Sequence, residues 1–103
     1  MPAPRIAEKD LLNHAEMELF NLSQNPAELA QRTPTQLRDK IARVRNLRDR
    51  ARDMFRSQVG RTRAATGTKR GFTGLANERT RQKAEVLNGV LATFVAARDK
   101  ALA

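Results

Sequence analysis

The chain has 103 residues, 40% of them hydrophobic, with 20 Lys and Arg against 11 Asp and Glu for a net charge of +9. It contains no cysteine, no tryptophan, no tyrosine and a single histidine, which excludes a disulfide scaffold, a thiolate metal site, an iron–sulfur cluster and a cysteine nucleophile. Such a length supports one domain with a thin core, because a chain this size hides only roughly two-thirds of its surface on folding.

The N-terminus carries no apolar run of the kind a signal peptide needs. The longest uncharged stretch, Val86 to Ala97, falls well short of the roughly 20 apolar residues of a membrane span. A cytoplasmic protein without membrane contact is the expectation. The charge is concentrated. Residues 32–83 hold 16 basic and 4 acidic side chains, residues 1–31 are net acidic, and residues 84–103 are balanced. A genome rich in arginine codons would account for 15 Arg to 5 Lys, but not for their clustering. Clustered basic charge is the footprint of a surface that meets a polyanion.

In chain order, the first predicted helix covers about residues 6–24. Leu11, Leu12, Ala15, Leu19 and Leu22 recur at helical spacing on one side, and Ile6, Met17 and Phe20 lie opposite. Asn25-Pro26 breaks it, with Asn25 as N-cap of a short turn over 26–31. Thr33-Pro34-Thr35-Gln36 then reads as a capping box with proline at the first helical position. A second helix is predicted over about 34–59 from Leu37, Ile41, Val44, Leu47, Ala51, Met54, Phe55 and Val59. Four of the five glycines fall in a basic connection over 60–75, with a frayed helical extension as far as Ala65 as the variant. A third helix over about 76–102 carries the stripe Ala84, Leu87, Leu91, Phe94, Val95 and Leu102. Beside it runs a second stripe of Val86, Val90, Thr93 and Ala97. The expected fold is all-α, one domain over 1–103: a three-helix antiparallel bundle built on a long hairpin. The surplus apolar side chains of the first and third helices predict a two-fold homodimer that covers them.

The arginines of the second helix carry the functional reading. At about 100° per residue and with Leu37 at zero, Arg38, Arg45, Arg52 and Arg56 fall between about 60° and 100°, and Arg43, Arg50 and Arg61 between about 220° and 240°. Asp39, Asn46 and Asp53 occupy the back. Arginine suits phosphate because its planar fork donates paired hydrogen bonds and keeps its charge. The same rows would also serve as a solvated face, with Asp39–Arg43 and Asp53–Arg56 as ordinary helix-surface pairs. Arg48 points into the apolar arc, where an unpaired guanidinium would be costly; Glu16 or Glu18 is the expected partner. Arg61, Arg63, Lys69 and Arg70 sit among glycines and threonines whose N–H groups and hydroxyls suit phosphate oxygens. The spacing is not that of a P-loop. Phe72 is the one aromatic placed to stack on a base.

Catalysis finds no support. His14 is alone, and Glu8, Asp10, Glu16 and Glu18 share one helix with no opposed partner. No metal set and no cofactor motif is present. A helix-turn-helix would need two short helices and a tight turn, and a basic zipper would place its basic residues ahead of the apolar heptads. The expectation is a small non-catalytic protein that grips the phosphate backbone of DNA or RNA through Arg38, Arg43, Arg45, Arg48, Arg50, Arg52, Arg56, Arg61, Arg63, Lys69 and Arg70. The alternative is a helical adaptor whose basic face docks an acidic protein partner.

Overall fold

The computed structural model describes residues 5–66 and 75–103, with side chains described over 5–61 and 77–103. The protein is all-α, with no strand among the described residues. Among the described residues five helices follow in order: α1 (Glu8–Leu11), α2 (His14–Ser23), α3 (Pro26–Ala30), α4 (Pro34–Thr66) and α5 (Leu75–Leu102). The predicted bundle of three helices is thus corrected to five, and two local causes account for the difference.

The first helix is broken at Asn13. The Asn13 Oδ1 accepts from the Glu16 N–H at 2.9 Å, and the Glu16 carboxylate accepts from the Asn13 N–H at 2.9 Å. This reciprocal cap starts α2 afresh, and the change of direction lets the adjacent Leu11 and Leu12 both be buried. The predicted turn over 26–31 closes into α3. There Asn25 accepts from the Glu28 N–H at 3.2 Å and proline opens the helix.

The predicted start of the long helix is observed: the Thr33 N–H donates to Gln36 Oε1 at 2.9 Å and the Gln36 N–H to Thr33 Oγ1 at 3.2 Å. Its end differs. α4 runs on across Gly60 to Thr66, so residues 60–66 are helix and not loop. An internal glycine costs a helix about 1 kcal/mol but removes no backbone hydrogen bond. Only the part of the basic connection at 67–74, with Lys69, Arg70 and Phe72, lies outside the described residues. At about 1.5 Å per residue, a helix of 33 residues matches the longest dimension of the molecule, 52 Å.

α4 and α5 pack along their length, and the N-terminal helices close over the groove between them. One core cluster joins Leu19, Leu22 and Leu29 to Leu37, Ile41 and Val44 of α4 and Val90, Leu91 and Phe94 of α5. A second joins Leu11 and Leu12 to Ala51, Ala84 and Leu87. The apolar surplus that suggested a homodimer is covered within the chain. Ile6, Met17, Phe20 and Val86 pack on the second cluster, Ala97 packs on the first, and Val90 is part of it. The predicted stripes fail at two places. Leu102, in the last helical turn, is 65% exposed and Met54 is 54% exposed. Leu47, on the same flank of α4 as Met54, is packed in the second cluster, whereas Met54 belongs to neither cluster.

Candidate functional site

The outward face of α4 follows from its inward one. Leu37, Ile41, Val44 and Ala51 are buried against the rest of the molecule. Helix geometry then sends Arg38, Arg43, Arg45, Arg50, Arg52, Arg56 and Arg61 into solvent, and all seven are exposed. They form the two rows that the spacing predicts, with Asp39, Ala42, Asn46, Asp49 and Asp53, all exposed, as the ridge between them.

Most of these guanidiniums stand outside any ion pair. Among the described residues, Arg43, Arg45, Arg50, Arg52 and Arg56 have no carboxylate within the 4.0 Å of an ion pair. Neither expected pair, Asp39–Arg43 or Asp53–Arg56, forms; Asp39 instead lies 3.8 Å from Arg38, with both side chains exposed. Such a contact adds little in water. Arg61 donates to Ser57 Oγ at 3.1 Å, and the side chain of Arg63 is outside the described set.

Arg48 is the exception. Its side chain is only 17% exposed, and Nη1 donates across the hairpin to Asn88 Oδ1 at 3.0 Å while Nη2 donates to Asp49 Oδ1 at 3.0 Å. The expected partners are therefore corrected. Glu16 pairs with Lys83 at 2.9 Å and Glu18 with His14 at 3.1 Å. With its donors engaged, Arg48 fixes the register of α4 on α5 and leaves the outward ligand contacts to its neighbours. Arg52 reaches the same Asn88 oxygen at 3.5 Å. It shares with Arg56, Phe55 and Ala84 a shallow recess of about 270 Å³ beside the hairpin seam.

Two further basic groups escaped the periodicity reading. Arg32 and Lys40 line, with Arg43, a groove of about 650 Å³ between α2, α3 and α4, where Glu18, Glu28 and Asp39 face them. The Arg32 Nε is buried without a hydrogen-bond partner. Nothing in helical spacing places Arg32 there, because it lies in the link between α3 and α4.

On α5, Arg81, Lys83 and Arg98 are each paired with an acid. Arg81 is clasped by Glu78 and Glu85, and Gln82 donates to Glu78 at 3.2 Å. The hydrogen bond from Arg81, helped by that from Gln82, holds the Glu78 carboxyl below the usual carboxylate range, and Glu78 in turn raises Arg81. A carboxyl whose folded value is lowered stabilises the fold above its unfolded value, and the benefit is lost as pH falls through the folded one. Thermal melts between pH 6 and 3 are accordingly expected to show Glu78→Gln losing less stability on acidification than the parent chain. Equal losses would show that this cluster contributes nothing to acid sensitivity.

Comparison with protein-family models, with curated proteins and with solved structures returns no match for this chain. Among the described residues no group of three or more His, Asp or Glu is placed to hold a metal ion. None of the helices is long and apolar enough to cross a membrane.

Proposed function

We propose that the chain is a small non-catalytic nucleic-acid-binding protein that contacts the phosphate backbone through the arginines of α4. One observation carries this reading: Arg43, Arg45, Arg50, Arg52 and Arg56 are exposed on one helix, and none of them is in an ion pair among the described residues. Charge held in this way repels itself, and a polyanion relieves the repulsion while releasing its own condensed counterions. The binding unit is a single chain in this reading, because most side chains expected at a dimer interface pack on the chain's own core, and a cytoplasmic location goes with it.

The test is a salt series on labelled nucleic acid. With five phosphate contacts, affinity is expected to fall by about 10²- to 10³-fold between 50 and 200 mM salt. Changing Arg43, Arg45, Arg50 and Arg52 to Gln should flatten the slope by about one for each arginine removed, and similarly for any base sequence. Absence of binding to duplex and single strand alike at 50 mM salt would end the proposal.

A second reading has its own observation. Met54, 54% exposed, lies on the flank that also carries Arg50 and Arg61. An apolar anchor ringed by cations suits an acidic protein partner, for which the adaptor role would hold. Met54→Gln should leave nucleic-acid binding unchanged and weaken only such a protein contact.

A further inference from the structure

Resting on the nucleic-acid reading, we propose that the ligand is B-form duplex DNA, with α4 seated in the major groove and one arginine row on each backbone. The starting point is that the cations of α4 do not make a single face. Arg45 and Arg52 stand on one flank and Arg43 and Arg50 on the other, separated by about 140° to 180° of helix rotation. Asp39, Asn46, Asp49 and Asp53 are exposed between them. Laid flat on a phosphate surface, this helix could use one row only, or else would press three carboxylates onto the phosphates. Both outcomes waste charge.

Inserted edge-on, the same arrangement fits. A helix with its side chains is about 10–12 Å across, and the B-DNA major groove is about 12 Å wide and 8.5 Å deep. The two rows then meet the opposite walls, and the acidic ridge points away from the phosphates towards the base edges. That ridge has chemistry for the position. A carboxylate accepts from cytosine N4, and an asparagine can pair with adenine N6 and N7. Asn46 and Asp53 have no hydrogen bond to other described residues. Asp49 is partly engaged by Arg48.

Most of the fold lies away from this face. α5 and the N-terminal helices pack on the opposite side of α4, against Leu37, Ile41, Val44 and Ala51, and only the first turns of α4 are bordered by α2 and α3, where Glu18 and Glu28 line a groove with Asp39 and Arg43. The alternative nucleic acids fit less well. The deep, narrow major groove of A-form RNA does not admit a helix. Single strands are held largely by stacking on free aromatics, whereas among the described phenylalanines Phe94 is buried and Phe20 and Phe55 are half-buried.

The experiment is a set of anisotropy titrations at low salt. The probes are a labelled 20-base-pair DNA duplex, the RNA duplex and the single DNA strand of the same sequence, and the DNA duplex with glucosylated 5-hydroxymethylcytosine for cytosine. The last keeps the backbone but fills the major groove. The proteins are the parent chain, Arg45→Gln/Arg52→Gln and Arg43→Gln/Arg50→Gln, each checked for parental helix content. The DNA duplex is expected to bind about tenfold or more tighter than the other three probes. Both double variants should weaken it to a similar degree, each lowering the salt slope by about two. Equal affinity for the glucosylated duplex or the RNA duplex, or a loss confined to one row, overturns the groove seating while backbone binding stands. No binding to any probe removes the underlying reading as well.

Discussion

Replacing Phe94 by alanine is expected to cost about 3–5 kcal/mol, among the largest losses from a single described side chain. Phe94 has no exposed surface, and its cluster draws on α2, α3, α4 and α5 together. Removing the ring leaves a void where four elements meet, and none of them can close it alone without leaving another contact. Small domains are stable by about 5–15 kcal/mol in all, so the change takes a large part of the total. Urea unfolding followed by circular dichroism would measure it. Leu102→Ala serves as the control, because Leu102 is 65% exposed and its loss should stay within about 0.5 kcal/mol. If the two variants unfold at the same urea concentration, the core does not sit where the structure puts it.

Local chemistry explains which features the sequence made legible. The Thr33–Gln36 box and the Asn25 cap depend on residues three apart, so the helix starts they mark can be read without knowing the fold. The break at Asn13 had the same kind of signal, with Asn13 and Glu16 also three apart. It was masked because the apolar periodicity of Leu11, Leu12, Ala15 and Leu19 continues across it. In the structure the cap prevails, and the redirected chain buries both adjacent leucines. The angular placement of the arginine rows was legible for the same reason, since it needs only the pitch of a helix. Their pairing was not. Asp39 was expected to reach Arg43 and lies beside Arg38. Arg48 finds Asn88, forty positions away. Contacts of that kind depend on how α5 is set against α4, which no periodicity within either helix encodes. α4 is longer than its apolar pattern predicts because Gly60 weakens the helix without stopping it, and the variant with a helical extension as far as Ala65 comes nearest to the observed end at Thr66.

Glu16 and Lys83 illustrate how such a hidden pairing bears on the candidate site, and their variants should differ in an ordered way. The Glu16 carboxylate is 3% exposed and the Lys83 side chain 29% exposed, with Nζ 2.9 Å from Oε1. The same Oε1 accepts the Asn13 N–H that caps α2. One buried oxygen thus holds both the start of α2 and the contact of α2 with α5. Removing Lys83 strands a buried carboxylate, and Lys83→Met is expected to cost about 3–5 kcal/mol, as breaking a buried pair does. Glu16→Gln should cost less, about 1–3 kcal/mol, because the amide still accepts from Asn13 and the half-buried ammonium can turn towards water. The double variant should then be more stable than Lys83→Met alone, since no charge remains stranded. A coupling near zero in this cycle, measured by urea unfolding, would show that the pair is not formed in solution. The consequence reaches the arginines. α2 carries Glu18, which lines the same groove as Lys40 and Arg43 of α4, so a loosened α2 would change the surroundings of the Arg43 side chain but not those of Arg45 and Arg52. Lys83 touches no proposed ligand, yet Lys83→Met should weaken nucleic-acid binding through the Arg43 row and leave the Arg45 and Arg52 contribution to the salt slope intact.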